Sequence, residues 1–501
     1  MPCGSILAAL IGGNTVILKP APETVLTAWV LVNCLWRAGI PKDVLQFVPC
    51  PDNEIGRSLV TDDRIGAVIL TGAYETARMF LDWKPSLRLF AETSGKNSLI
   101  ITAAADPDQA IKDLVKSAFG HAGQKCSAAS LAIVEAEVYD SPGFRRQLKD
   151  AAQSLRVSGP WNLDAIVTPI IREAGESLHR ALTTLDPGEE WLLEPKMIDG
   201  NPCLWSPGIK LGVKPDSWYR RTECFGPVLG QCGLTGGIHT LDDREIAVWR
   251  EQVEVGNAYI NRPITGAIVQ RQPFGGWKRS CFGPGAKAGG PNYCQLFGTW
   301  TNVGLPHERA EPTAHSIDLL MKLVALLPES RDRLVAAAGS DAFWNEREFS
   351  IEHDPSGLRF ESNVFRYRRF SRAILRAEES TSDDDLARLM LVAKSMGTAA
   401  SLSLESPRKW LTGLGFECVI ESSGALEARL PALAEHFGLV RAPRAEIALK
   451  SAAIAAGLRW ADGPVLTNAR LEWPAWLREQ SLSETRHRYG NLLPKPSELD
   501  T

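Results

Sequence analysis

Two residues in this sequence carry types and spacing that could do covalent chemistry. Cys126 lies in GHAGQKCSAAS, residues 120–130, and Glu92 lies in LFAETSGKNS, 34 positions earlier. A thiolate attacks an electrophilic carbon readily, and a carboxylate within reach can activate the water that releases the adduct. Lys125, beside the cysteine, would favour the ionised thiol. Each residue also has a plain reading. A lone cysteine is often a small buried hydrophobe, and Glu92 could be a solvated acid at a strand end.

The elements around these residues decide what can meet. Asp106–Pro107 starts a helix, with a carboxylate at the N-cap and proline at the first helical position. Ala110, Ile111, Leu114, Val115, Ala118 and Phe119 then recur at helical spacing until Gly120 stops the run. Cys126 therefore falls on a loop, where reactive groups are usually displayed. Upstream, GNTVILKP, DVLQFVP and IGAVILTG read as short buried strands. Between them VLTAWVLVNCLWRAG and NEIGRSLVTD read as helices. That βαβ alternation predicts parallel strands, with ligands received at their carboxyl ends. Lys19 follows the first strand and Gly72–Ala73 the third. Neither loop is a GxGxxG, and each could be an ordinary turn.

Composition narrows the class of function. The 501 residues are 44% hydrophobic and 23% charged, with net charge −4, which describes a globular protein of two to four domains. No basic run suggests a nucleic-acid partner. Apolar stretches such as SILAALIGG are too short to span a bilayer, and the N-terminus lacks a positively charged leader region. The ten cysteines form no CxxC pair and the eight histidines are scattered, so no metal is expected and a reducing cytoplasm is.

After residue 94 the α/β pattern continues through dense loops: ECFGPVLG, GNAYINRP and TGAIVQRQPFGGWKRS. GLPHERAEPT marks a boundary near 305–313. From 314, SIDLLMKLVALLPES reads as helix and leads into a second α/β series. Its expected strands are AILRAE, ASLSL, ECVIES, LVRAP and the PVLTN region. Ser382 before DDDLARLMLVAKSMG is a capped amphipathic helix with acids in its first turn.

FAETSGKN, GHAGQKCSAAS, ECFGP and QPFGG resemble the aldehyde dehydrogenase superfamily in order and spacing. ILKPAPET, GNAYINRP, TGAIVQRQPFGGWKRS and the terminal SETRHRYGNLLPKP narrow the resemblance to the C-terminal half of proline utilization A proteins. Those proteins join proline dehydrogenase to an L-glutamate γ-semialdehyde (1-pyrroline-5-carboxylate) dehydrogenase. The resemblance implies an α/β aldehyde dehydrogenase fold: a Rossmann-like NAD-binding domain plus an α/β catalytic domain, followed by a second Rossmann-like domain. The implied boundaries are 1–93 (a partial NAD-binding domain), 94–283 (catalytic), 284–305 (a return or oligomerisation segment) and 314–501 (Rossmann-like, without cofactor).

The resemblance also implies roles. Cys126 would be the nucleophile and Glu92 the general base. Lys19 would hold the adenine-side ribose of NAD, Gly72 and Ala73 the pyrophosphate, Glu223 the nicotinamide ribose, with Phe225 beside the ring. Lys125, Ser127 and the backbone of Gly266 and Ala267 would receive the small-molecule substrate, its α-carboxylate falling to the last three, and Phe274 would pack on its methylenes. TGAI could also be only a tight turn. Many relatives place a glutamate three positions after the lysine where this chain has Pro22, which weakens the discrimination against NADP; NAD remains the expected cofactor.

Two departures bear on activity. Relatives enter the first segment through a strand whose asparagine donates to the oxyanion, and that asparagine is expected to be missing from this sequence. Loss of one such donor typically costs on the order of 10²–10³ in rate. Between ECFGPVLG and GLTGGIHT, where relatives place a strand and a helix, Gln231–Cys232 alone join the two. The expected function is NAD-dependent oxidation of L-glutamate γ-semialdehyde to L-glutamate, in the cytoplasm, with a proline dehydrogenase half as partner and homo-oligomers conceivable. The alternative is a weak or silent remnant with a structural role.

Overall fold

The computed structural model describes residues 2–93, 95–229, 234–488 and 491–492. The expected shortfall at Gln231–Cys232 lies outside the described residues, as do Ser94 and most of the terminal GNLLPKP.

The first third follows the βαβ reading. Strand β1 (Val16–Leu18) is parallel to β2 (Leu45–Phe47), with Val16 opposite Leu45. The helix Val25–Arg37 joins them and ends before Gly39, which sits at φ 102°, a left-handed value that glycine alone adopts cheaply. β3 (Val68–Gly72) departs from the expected triple of parallel strands. It belongs with β4 (Leu89–Thr93), and the Val68 N–H donates to the Arg88 carbonyl. β3 therefore spends its edge on the strand that follows it.

In the middle third, β5 (Asn97–Ile101) leads into the helix Pro107–Phe119, whose N-cap Asp106 accepts from the Asp108 and Gln109 amides. All six apolar positions predicted to face inward are buried. β6 (Ala129–Val134) follows the cysteine loop. β7 (Glu190–Leu193) and β8 (Ile209–Leu211) form an antiparallel pair, and β9 (Thr235–His239) and β10 (Asn257–Ile260) run parallel.

The last third opens with β11 (Cys281–Phe282) and the helices Ala314–Leu326 and Arg331–Trp344. Then come β12 (Glu361–Arg369), β13 (Arg372–Ala377), β14 (Ala399–Leu404), β15 (Glu417–Ile420), β16 (Leu439–Arg441), β17 (Arg459–Ala461) and β18 (Leu477–Thr485). Four of the five strands expected here form where the apolar runs place them. The fifth does not: β17 forms at Arg459–Ala461, and the PVLTN residues are loop. Pro464 has no N–H to give a ladder, and the amides of Leu466 and Thr467 go to the side chains of Glu472 and Asn302.

These elements form two compact units. One comprises the chain up to Ala91, Cys281–Glu352 and Arg366–Glu479. It contains the three-stranded sheet β11-β4-β3 and a parallel five-stranded sheet, β15-β14-β13-β16-β17. The strand order reverses at β13, as in doubly wound folds, and Ile374, Val440, Leu426, Leu430 and Leu449 fill its core. The other unit comprises Glu92–Ser280, His353–Phe365 and the chain from Gln480. Its sheet runs β12-β18-β10-β9-β5-β6. Leu99, Ile101, Leu114, Phe119, Tyr259 and Ile264 pack the core beneath the cysteine loop. Each such side chain contributes about 1.5–3 kcal/mol by leaving water. Among the described residues no helix is long and apolar enough to cross a membrane.

Candidate active site

The cysteine loop is built by an abrupt change of backbone. After the helix Pro107–Phe119, His121, Ala122 and Gly123 take φ values of 57°, 52° and 69° in succession. Two of the three are not glycine, and such conformations persist only where their surroundings enforce them. Gly123 shows how: a Cβ there would stand 2.1 Å from the Gly226 carbonyl oxygen. The ECFGP segment, carrying Glu223 and Phe225, is thereby pressed directly onto the cysteine loop. Gln124 ties the two again, its amide donating to the Phe225 carbonyl at 3.2 Å.

Asn97, a residue of the AETSGKNS motif given no role by the sequence reading, fixes the turn itself. Its Nδ2 donates to the carbonyls of Cys126 (2.7 Å) and Ala128 (2.9 Å), and its Oδ1 accepts from the amides of Leu234 and Thr235. One buried amide thus satisfies four backbone groups on two segments, using its whole donor and acceptor capacity. Asn257 does the same for QPFGG, donating to the Pro273 carbonyl and accepting from the Gly275 amide.

Glu92 lies within β4, and its Oε2 accepts from the Gly276 amide at 2.9 Å. Cys126 is half-buried. Burial pushes its thiol pKa up, and the negative charge of Glu92 and, more weakly, of Glu223 pushes it further, against the backbone N–H groups of Ser127 and Cys126. The net effect is opposite to the one expected from Lys125. The resting group is a thiol with carboxylates around it, so a base must remove its proton.

Tyr259 links this cysteine to the TGAI turn. Its phenol is buried, desolvation first of all pushes its pKa up, and it lies within the electrostatic reach of Cys126. Its Oη donates to the Gly266 carbonyl at 3.0 Å. Gly266 itself is exposed, at φ 93°, with nothing within 4 Å of where a Cβ would be. Ala267 is exposed beside it, Ser127 is buried next to the cysteine, and Phe274 is 8% exposed. Phe225 is 40% exposed. Tyr259 left one signal in the sequence, an aromatic residue inside GNAYINRP, but a strand aromatic reads equally well as core.

The remaining sequence candidates lie in the other unit. Lys19 Nζ stands 2.5 Å from Asp52 Oδ1 at the end of β1. Gly72 ends β3, and Ala73 is the extended N-cap of the helix Tyr74–Trp83, where it brings no side-chain oxygen to the first turn. Such a helix start suits an anion.

The cysteine loop, the strand-borne Glu92 and the ECFGP segment with Glu223 all belong to one α/β unit. The sequence pattern of the aldehyde dehydrogenase family matches residues 1–231 and 230–303, more than half of the chain, and the chain belongs to that family. The match comes in two segments that meet at 230–231. The 1-pyrroline-5-carboxylate dehydrogenase of Bacillus subtilis (strain 168) is 34% identical over 324 residues, which are 58% of this chain and 61% of that protein. Among solved structures, proline utilization A from Corynebacterium freiburgense matches with TM-score 0.84 at 41% identity, over 98% of this chain and 49% of that one. A 1-pyrroline-5-carboxylate dehydrogenase from Thermus with bound NAD matches with TM-score 0.53 at 31% identity, over 58% of this chain and 61% of that one. This chain thus spans about half the length of the first solved protein and three fifths of the other two relatives.

Proposed function

We propose that this chain carries the site for NAD-dependent oxidation of L-glutamate γ-semialdehyde, the open form of 1-pyrroline-5-carboxylate, to L-glutamate. The observation that carries the reading is the grouping of Cys126, Glu92, Glu223 and Tyr259 in one electrostatic neighbourhood, with Tyr259 tying it to the backbone of Gly266.

In this reading Cys126 loses its proton to a nearby carboxylate, and its sulfur attacks the aldehyde carbon. The amides of Ser127 and Cys126, which already favour the thiolate, face the charge that forms. NAD would supply the hydride acceptor for this oxidation. The residues to which the family resemblance gives the task of holding it are Gly72, Ala73, Lys19, Glu223 and Phe225. The bare helix start at Ala73 fits a pyrophosphate, and Lys19 would share its ammonium between a ribose hydroxyl and Asp52. Glu92 then takes a proton from water, hydroxide attacks the acyl carbon, and the C–S bond breaks to release the carboxylate and restore the thiol. Ser127 and the open main chain at Gly266–Ala267 would receive the substrate's α-carboxylate, with Lys125 near the entrance and Phe274 against the methylenes. The supplier of the semialdehyde would be a proline dehydrogenase.

The test is NADH formation from the semialdehyde. Cys126→Ser should abolish it, by about 10³-fold or more, while NAD affinity stays within about twofold. Glu92→Ala should keep a burst of NADH and lose the steady state, because hydrolysis of the thioester fails. Equal loss of the burst in both variants contradicts the division of roles. NAD binding without any turnover in the unmodified chain favours the remnant reading.

A further inference from the structure

Residues 266–270 are exposed, so burial does not hold the loop in place. Recognition by backbone N–H groups nevertheless demands a fixed main chain, since a displacement of about 1 Å can cost on the order of 10²-fold in rate. Something else must set this loop.

The anchors come from β12. Inside the loop, the Ile268 amide donates to Gln272 Oε1 at 3.1 Å, and the Gln272 amide returns to the Ile268 carbonyl at 2.7 Å. Gln272 is 4% exposed, and its Nε2 donates to Asn363 Oδ1 at 2.8 Å. Asn363, 1% exposed, donates in turn to Glu361 Oε2 at 3.1 Å. Arg271 Nη2 reaches the same oxygen at 3.0 Å, and Arg262 Nη1 lies 3.4 Å from it. Arg262 belongs to GNAYINRP and Arg271 to the loop, so Glu361 joins both ends of the segment that contains TGAI. Burial opposes the Glu361 charge, yet the Asn363 amide and the two guanidiniums hold its carboxyl below the usual range. Asn363 is itself set by Asp354, which accepts from its backbone amide at 2.9 Å. These residues lie beyond residue 303, where the family match ends.

We propose that Glu361 and Asn363 are positioning residues that hold the 266–272 loop in the geometry that receives an amino-acid α-carboxylate. The inference rests on the reading of Gly266–Ala267 as the substrate anchor. Its chemistry is indirect: neither side chain needs to touch the ligand, and each acts through Gln272 or Arg271. A carboxylate that pins one loop through two arginines and an asparagine gives that loop a single conformation without burying it.

The experiment uses the full chain with Glu361→Gln and Asn363→Ala. Hydrogen exchange should be about tenfold faster in the peptide covering 266–272, and unchanged in the one covering 120–127. The dissociation constant for L-glutamate, measured by calorimetry, should rise about tenfold in both variants, with that for NAD unaltered. Glu361→Asp should recover part of both effects. If Asn363→Ala does not fold, Glu361→Gln carries the test, because its side chain is partly exposed. Unchanged exchange in the loop overturns the inference, as does an equal loss of affinity for L-glutamate and NAD. Failure of the unmodified chain to bind L-glutamate overturns the anchor reading and the ligand half of this inference, while the exchange data still decide the pinning.

Discussion

Two parallel sheets in this molecule carry contrasting loops, one at the carboxyl end of a strand and the other leading into the amino end of one. At the carboxyl end of β13, where the strand order reverses, the guanidinium of Arg376 is 0% exposed and meets both oxygens of Glu378 at 2.9 and 3.0 Å. It also reaches Ser403, Ser423 and the Glu421 carbonyl. Arg408 clamps the same loop through Asp383 and the carbonyls of Glu378 and Thr381. A phosphate arriving here would meet Asp383, Asp384 and Asp385 in the first helical turn. In the other unit the cysteine loop carries three left-handed residues in a row, and its thiol has carboxylates for neighbours. One end is closed by paired charges, and the other holds strain and like charge. That contrast separates an end whose charges are compensated from one that keeps strain and like charge side by side.

The closed end gives the largest expected effect. Arg376→Ala removes the guanidinium that meets both oxygens of the buried Glu378 carboxylate and should destabilise by about 3–5 kcal/mol. The midpoint of urea unfolding, followed by circular dichroism, checks it. The double variant Arg376→Met with Glu378→Leu should recover most of the loss, because a well-packed apolar pair removes the stranded charge. No recovery would mean that the wider network, not the pair, sets the stability.

The open end should respond to a single methyl group. Gly123→Ala forces a Cβ to within 2.1 Å of the Gly226 carbonyl at a left-handed φ. It should cost about 2–3 kcal/mol and part the ECFGP segment from the cysteine loop. Gly120→Ala is the control three residues away: no heavy atom lies within 4 Å of its Cβ, and its φ of −57° suits any residue. It should be neutral or slightly stabilising, by up to about 1 kcal/mol. Equal losses in the two variants would show that the helix end, not the contact with Gly226, holds the loop.

The contrast also marks what a sequence can disclose. The helix before Cys126 was legible because its cap, its proline and its apolar spacing are local signals that agree. Ser382 before three aspartates was legible for the same reason, and the Ser382 hydroxyl does accept from the Asp385 amide. β17 was misplaced because PVLTN has strand composition, while its amides are claimed by Glu472 in the following helix and by Asn302 from a distant part of the chain. The cysteine and Glu92 stood out through motif and spacing. Asn97, Asn257 and Tyr259 did not, since an amide satisfying two segments is visible only when both are folded. The sign of the Cys126 shift was misread for a related reason: Lys125 is adjacent in sequence, but burial and Glu92 act through space.

The smallest effect concerns a buried pair below the open end. Asp113 Oδ2 lies 3.7 Å from His239 Nε2, and both side chains are at most 2% exposed. Desolvation raises Asp113 to about 6, against the Gln109 amide and the charges of Lys112, Lys116 and Arg262. Desolvation also lowers His239 to about 4, against the Arg262 carbonyl and Asp106. The two shifts pull stability in opposite directions. From about pH 6 down to pH 4 the folded aspartate binds a proton that the unfolded one lacks, which favours the fold as pH falls. Over the same window the unfolded histidine binds a proton that the folded one refuses, which disfavours it. The slopes, each about 1.4 kcal/mol per pH unit, nearly cancel. Asp113→Asn keeps an acceptor for Gln109 and removes one slope. The variant should therefore lose roughly 2 kcal/mol relative to the unmodified chain between pH 6 and 4.5, measured as the shift in urea midpoint at the two pH values. Above pH 7 the sign reverses: the buried carboxylate is ionised at a cost, so the variant should be the more stable one there. A variant whose stability tracked that of the unmodified chain at every pH would show that Asp113 takes up no proton on folding, and the pair would then belong with the closed, fully compensated charges of the β13 end.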